Sequence, residues 1–398
     1  MANLADYEWL IEDGAAGLLA EAQSAAAAPH QVLSRLRRSL SPERAALVVQ
    51  QADLRQRGAA KFGKLADKMF FTDVGLQQST DLWVARYKAS RIDDTCSIAD
   101  YCTGIGGDLV GLADVGPTRG CDATPELALM ASANARVAET SFPADVTNDH
   151  AENRPPTSEE IWHLDPDRRT NDRRSTQLQW HSPDPAIVDR WLLSSHNGIL
   201  KLAPATRVPT VWATQAEREW ISRDRQCRQQ VVWFGQLATS PGCHRASTVM
   251  VNKDGTVESA SFTGLPDGEA PSSAEVGRYI YDTDAAIRAA RLTGALAAAC
   301  GLRALQSGPS YLTGDHAIEH PLLARFEVND VLPLRTKPLA KHLRSLDIGT
   351  LEIKKRGVET DPERLRKELK LQGDRAATLL LLRIESRELA VLATRGEG

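Results

Sequence analysis

Apolar positions along this chain recur with two periods, and the change falls near residue 95. Before residue 80 they return every three or four places, the spacing of helices with one buried stripe. Ser41 is a natural N-cap and Pro42 suits the first position of the long helix spelled by "PERAALVVQQADLRQRGAAKF". "AEAQSAAAAPHQ" is a low-complexity joint ahead of it. From residue 95 short apolar runs alternate with helical stretches. "CSIAD" predicts a strand and "GDLVGLADV" a helix, then "TRGCD" a strand and "PELALMASANARVAE" a helix. "IWHLD" and "NGILKLAP" are further buried strands. This alternation predicts an α/β fold with a doubly wound parallel sheet. "QQVVWFGQ" and "ASTVMVNKDGTVESASF" predict antiparallel closing strands, with Lys253-Asp254-Gly255 as a hairpin turn.

"GLPDGEAPSSAEVG", residues 264–277, has the composition of a linker. Beyond it, "KPLAKHLRSL" reads as helix, "GTLEIKKRG" as strand, and "DPERLRKELK" as a helix capped by Asp361. "AATLLLLRIE" and "ELAVLAT" predict a closing hairpin. The organisation expected is a helical region over 1–80, a sheet domain over 81–275 and a C-terminal α/β domain over 276–398. A length of 398 residues also exceeds what one ordinary core serves.

A formal charge of −4 gives the whole protein no attraction to nucleic acid, so any basic surface has to be local. Residues 335–375 supply one, with 12 Lys or Arg against 7 Asp or Glu. No run of eighteen apolar residues suggests a membrane span. The opening "MANLADYEWLIEDGAAG" carries acids where a secretion signal carries Lys or Arg. Six scattered cysteines with no CxxC pair point away from disulfides and zinc fingers. A reducing cytoplasm is expected. His316 and His320 stand four apart, but Pro321 follows and no acidic partner completes a zinc pattern, so no metal is assigned. His163, set between apolar neighbours, reads as a core side chain.

The stretch "IADYCTGIGGD", residues 98–108, carries the first chemical signal. In open parallel sheets ligands lie at the carboxyl ends of strands, where the chain turns into the next helix. A strand ending at Asp100 and a bend through Gly104, Gly106 and Gly107 provide that geometry, letting backbone approach a ligand. Asp122 closes the next strand, where a carboxylate accepts hydrogen bonds from both ribose hydroxyls. Asp145 in "FPADVT" follows at similar spacing and suits an adenine amine. The three together predict a nucleoside site. There is no GxxxxGK[ST] phosphate loop, and the bend reads CxGxGGD rather than GxGxxG.

The form D-x-C-x-G-x-G-G-D, with Cys102 at the first glycine position, resembles the first motif of class I S-adenosylmethionine-dependent methyltransferases. It looks like the branch that modifies guanine N2 in RNA. The resemblance implies S-adenosylmethionine as cofactor, held by Asp100, Cys102, Gly104, Gly106, Gly107, Asp122 and Asp145. It also implies an acceptor motif after the fourth strand, which here is "HLDPDRR". Asp165 and the carbonyl of Pro166 would then take hydrogens from an exocyclic amine. Asp167 and Arg168 stand where amino-methyltransferases of this class have a second proline and an aromatic. Trp162 or Trp180 is a candidate to stack a base in its place. Arg168 and Arg169, with Arg173 and Arg174, are candidates to clamp RNA phosphates.

The elements "KMFFTDVGLQQST", "RYIYDTDAAIRAARL", "YLTGD", "FEVNDVLPL" and "LEIKKRG" extend the resemblance over most of the chain. They look like a bacterial family of methyltransferase-fold proteins with a C-terminal THUMP-like domain. That resemblance implies RNA as partner, with Lys354, Lys355 and Arg356 as contacts. Phe70, Phe71, Thr72 and Gln78 precede the core and are candidates to fold over the cofactor, or to anchor a helical cap. The expected activity is methylation of a base nitrogen in RNA. The alternatives are an inactive RNA- or cofactor-binding relative and a small-molecule methyltransferase.

Overall fold

The computed structural model describes residues 2–12, 15–24, 29–93, 96–167, 176–252, 254–305 and 311–396, with backbone alone at 169, 170, 173 and 174. Arg168 lies outside the described residues, as does Lys253 of the expected turn. The chain opens with helices α1 (Leu4–Ile11), α2 (Ala16–Ser24), α3 (Pro29–Leu36), α4 (Pro42–Phe62), α5 (Asp73–Gln78) and α6 (Leu82–Ala89). Ser41 caps α4 as expected, its side chain accepting from the Arg44 N–H at 3.2 Å.

The sheet region follows: β1 (Ile98–Tyr101), α7 (Gly107–Leu112), β2 (Thr118–Asp122), α8 (Pro125–Ala138), β3 (Ala144–Asn148) and β4 (Ile161–Leu164). A short antiparallel pair, β5 (Arg169–Thr170) and β6 (Arg173–Arg174), precedes α9 (Ala186–Ser194) and β7 (Gly198–Leu202). After α10 (Thr210–Gln215) come β8 (Glu217–Arg223), β9 (Gln226–Phe234), β10 (His244–Val251) and β11 (Val257–Gly264). The strand order is β11-β10-β8-β9-β7-β4-β1-β2-β3. β3, β2, β1, β4 and β7 run parallel, and β9 pairs antiparallel with β7. This is the doubly wound, Rossmann-like sheet with an antiparallel closure. The strand order reverses between β1 and β4, which is where such sheets place ligands.

The chain divides into two compact units. The first comprises Met1–Glu217, Gln229–Pro241 and Val249–Glu258, and the second Arg218–Arg228, Gly242–Thr248 and Ser259–Gly398. The break expected at residue 80 is absent from this division. Leu10, Leu54, Phe62 and Phe71 share one hydrophobic core with Ile105, Val110 and Met130, so the N-terminal helices pack directly onto α7 and α8. On the other side of the parallel sheet, Trp162 packs edge-on to Trp191 and against Phe234.

The second unit has its own seven-stranded sheet, in the order β13-β14-β12-β15-β18-β17-β16. Its strands are β12 (Tyr279–Thr283), β13 (Arg303–Ala304), β14 (Leu312–Gly314), β15 (Leu323–Pro333), β16 (Ile348–Lys355), β17 (Arg375–Ile384) and β18 (Arg387–Arg395). Helices α11 (Ala285–Ala289), α12 (Thr293–Ala299), α13 (Thr336–Ser345) and α14 (Pro362–Leu369) complete it. Asp361 caps α14 and β17 pairs with β18 as a hairpin, both as expected. The stretch read as a linker is tied down, since Ala304 donates to Pro271 O at 2.7 Å and Ser273 to Ala304 O at 2.8 Å. Among the described residues no helix is long and apolar enough to cross a membrane.

His244 is buried in the second unit against the Trp220 ring, its Nδ1–H donating to Ala290 O at 2.6 Å. Nε2 has no partner there, so a proton on it would be an unsatisfied buried charge. Burial pulls the imidazole down from 6.5 to about 4. Between those values the unfolded chain takes up a proton that the folded unit refuses, so stability is complete above pH 6.5 and falls as the pH drops towards about 4. His244→Gln is expected to flatten that part of a urea-unfolding profile followed against pH. An unchanged profile would count against this account.

Candidate active site

The glycine bend sits at the carboxyl end of β1, beside the reversal point of the sheet. Cys102 adopts φ +58°, a left-handed backbone that glycine takes more readily, which accounts for its standing at a glycine position of the motif. Burial pushes its thiol well above the ordinary range. Gly104 at φ +55° faces open space where a side chain would project, and Gly106 at φ +85° lies against the Ala131 backbone. Gly107 begins α7.

Asp122 at the end of β2 latches the bend. Its Oδ2 accepts from Gly104 N–H at 2.8 Å and its Oδ1 from Thr124 N–H at 2.9 Å. Burial raises its carboxyl, and those two N–H groups oppose the shift. Asp100 lies beneath the bend, 2% exposed, with Oδ1 at 2.7 Å from His163 Nδ1. Its Oδ2 and the Thr103 hydroxyl are buried without partners. Burial raises the Asp100 carboxyl too, opposed by His163. Two orphaned buried oxygens, an open glycine and a carboxylate at the end of the next strand fit an aminoacyl nucleoside such as S-adenosylmethionine. In that arrangement Asp122 would hold the ribose and the Asp100 region the aminoacyl end.

Asp145 does not join this group. The register sets it opposite Arg119, near the amino end of β3, and it is exposed. The assignment to an adenine contact is therefore corrected: the spacing along the chain suits a strand end, but Asp145 is the second residue of β3. The residues at the carboxyl end of β3 are Asn148, which faces Asp122 in register, and Asp149, whose N–H donates to Asp122 O at 3.1 Å.

Asp165 follows β4, its N–H donating to Tyr101 O at 3.2 Å, with its side chain 32% exposed. Pro166 is buried behind it. Asp167 is exposed and pairs through its backbone with Ser182, while Gln78 Nε2 donates to its carboxylate at 3.4 Å. Arg169 enters β5, which turns back on β6. Trp162 is fully buried and cannot stack a base, whereas Trp180 is 52% exposed. A cleft of about 680 Å³ opens in the segments after β4 and β7, lined by Gln177, Leu178, Asp184, Pro185, Arg207 and Val208. Phe70 and Phe71 are core anchors of the helical cap, and Thr72 caps α5.

Sequence reasoning missed the ion pairs beneath these groups. Lys88 of α6 and Asp108 of α7 meet at 2.5 Å, 1% and 7% exposed. Thr80 Oγ1 donates to Asp108 Oδ2 at 2.7 Å, and His163 Nε2 is 3.3 Å from Lys88 Nζ. Lys201 of β7 reaches Asp165 Oδ2 at 2.5 Å and Asp108 Oδ2 at 3.6 Å. Burial alone would raise the Asp108 carboxyl, but Lys88, Lys201 and His163 hold it far below the usual range. Burial lowers the Lys88 ammonium, with Asp108 opposing it. The available signals were the acid that ends the glycine motif and the lysine inside "GILKLAP".

In the second unit, β16 is an edge strand. Arg356, expected as an RNA contact, turns inward to Asp282 at 3.0 Å and lies over the Tyr311 ring. Lys354 pairs with Glu352 at 3.3 Å, and Lys355 is exposed. The resemblance to an RNA-docking edge is thus reduced to Lys355 among these three.

Comparison with known proteins bears on both units. Residues 323–395 match the family described as THUMP domain-like, and residues 3–58 match a domain of unknown function. Uncharacterized S-adenosylmethionine-dependent methyltransferases from two strains of Mycobacterium tuberculosis are 31% identical to this chain over 363 residues, 87% of this chain and 95% of theirs. A crystal structure of a proposed methyltransferase from Porphyromonas gingivalis W83 shares the fold, at 20% identity and a TM-score of 0.78, over 96% of this chain and 98% of that one.

Asp122→Asn keeps the size of the side chain but removes its charge. Hydrogen bonds to a charged group are worth about 1.5–3 kcal/mol, so affinity for S-adenosylhomocysteine is expected to fall roughly 10- to 150-fold by calorimetry. Wild-type affinity in this variant would remove Asp122 from the site.

Proposed function

Because the chain belongs to the family of S-adenosylmethionine-dependent methyltransferases represented by those mycobacterial proteins, we propose that it methylates a base nitrogen of RNA, with Asp165 as the acceptor-side carboxylate. The observation that carries this reading is the position of Asp165: a partly open carboxylate at the end of β4, paired in the sheet with the strand that bears the glycine bend. The THUMP-like stretch over 323–395 supports RNA as the partner.

When bound, S-adenosylmethionine supplies a methyl carbon on a sulfonium; the acceptor nitrogen's lone pair forms the new N–C bond, the C–S electrons stay on sulfur as a thioether, and the nitrogen sheds one proton. The chain's own work is alignment and acceptance of hydrogen. Asp165 Oδ1 and the Pro166 carbonyl accept from the amine, turning its lone pair away from them. Asp165 takes the proton that the methylated nitrogen gives up. The cleft after β4 and β7 has the size of sites that enclose one small ligand, with Trp180 at hand as a stacking surface for a base. Arg168 and Arg169, which follow the acceptor motif in the sequence, are the candidates for phosphate contact.

The test is transfer of a labelled methyl group to total bacterial RNA. Label is expected in RNA with the wild-type chain. Asp165→Asn is expected to lower the rate by about 100-fold or more, with S-adenosylhomocysteine affinity retained. Label appearing in small metabolites and not in RNA would replace this reading with a small-molecule methyltransferase. Donor binding without transfer to either would leave a binding protein.

A further inference from the structure

We propose that Lys201 is the positioning residue of the acceptor carboxylate, fixing which oxygen of Asp165 meets the substrate. This rests on the role given to Asp165 above and adds a residue that role does not contain. Lys201 lies on β7, paired parallel with β4 on the side away from β1. The register sets Leu164 opposite Leu200, so Lys201 and Asp165 are each the next residue along their strands. Sheet pairing itself therefore brings the ammonium to the carboxylate.

Nζ is 2.5 Å from Asp165 Oδ2, and the lysine side chain is only 11% exposed. The same Nζ is 3.6 Å from Asp108 Oδ2. Asp108 is in turn pinned by the ion pair to Lys88 at 2.5 Å and by the Thr80 hydroxyl at 2.7 Å. The ammonium thus stands between two carboxylates, one rooted in the interior and one partly exposed. Following Asp165 outwards would cost the ammonium its attraction to the buried Asp108 carboxylate.

The consequence is a choice between two otherwise equivalent oxygens. Oδ2 is taken by Lys201, so Oδ1 is the oxygen offered to the amine. Without the ammonium, a carboxylate with a third of its surface open to water turns towards solvent, because hydration of the charge favours that rotamer. A misplacement of about 1 Å in a group that aligns the reactants costs on the order of 100-fold in rate.

The test pairs kinetics with a crystal structure. In Lys201→Met, kcat for RNA methylation is expected to fall about 100-fold while KM for RNA and S-adenosylhomocysteine affinity hold. Lys201→Arg keeps the charge and is expected to recover part of the loss, which a purely space-filling role would not produce. In crystals of the S-adenosylhomocysteine complex, Asp165 is expected to keep its orientation in the wild type and to swing outwards in K201M. Wild-type kcat in K201M, no recovery in K201R, or an unmoved Asp165 in the K201M crystal would each overturn the proposal. Should K201M lose S-adenosylhomocysteine binding through misfolding, Lys201→Gln is scored by the same measurements. Should the wild type label no RNA, the RNA reading falls, and the crystal comparison still decides the place of Lys201.

Discussion

Lys88 and Asp108 face each other across 2.5 Å with almost no access to water, and four structural elements are tied to that contact. Removing two charges from water costs several kcal/mol per ion even after relaxation. The cost is offset only where geometry is good and remaining donors and acceptors are met. Here Asp108 also takes the Thr80 hydroxyl and stands near Lys201, while Lys88 stands near His163, which closes on Asp100. Lys88 comes from α6, Asp108 from α7, His163 from β4 and Lys201 from β7. Breaking a buried pair by deleting one partner typically costs about 3–5 kcal/mol, so these elements are not free to drift apart.

That constraint explains how a glycine-rich bend holds a fixed shape. Glycines lower the cost of the required backbone angles but do nothing to select them. Selection comes from the two ends. On one side Asp122 accepts from Gly104, so the bend is fastened to β2. On the other, Asp108 in the first turn of α7 is fastened to α6 and to β7. Asp100 and His163 stand opposite each other in the β1–β4 register and close the floor. The glycine bend and Asp165 are then joined by one line of charged side chains, with Lys201 as its last link.

Much of this was legible in the sequence, for identifiable reasons. β1, β4 and β7 are short, largely apolar runs next to glycine or acids, and their pattern marks them, while β2 is placed by its position between two helices. Ser41 and Asp361 announce their helices through local capping chemistry that needs no tertiary information. The ionic line was not legible. Lys88, in "ARYKAS", looks like any solvated helix cation, and only its contact with a residue of α7 removes it from water. Asp145 failed for a related reason: its distance along the chain suits a strand end, but β3 begins at Ala144, so the side chain sits at the wrong edge. Trp162 failed as a stacking candidate because a strand buried on both faces leaves no exposed side.

The basic tail shows the same gap between composition and surface. The excess of Lys and Arg over 335–375 suggests a patch, but most of its arginines already have partners within the unit. Arg344 donates to Leu369 O at 2.7 Å, Arg366 to Leu351 O at 3.3 Å, and Arg375 to Leu346 O at 3.3 Å. Arg356 turns to Asp282, and Arg364 pairs with Glu368 at 2.8 Å. The lysines Lys337 and Lys341, one turn apart on α13, Lys355 on the edge strand, and Lys367 and Lys370 about α14 are exposed beside these arginines. Lysine is a flexible point charge that meets a phosphate without reading its geometry, whereas arginine grips it through a planar fork. Phosphate contacts made by lysines depend strongly on salt and little on sequence.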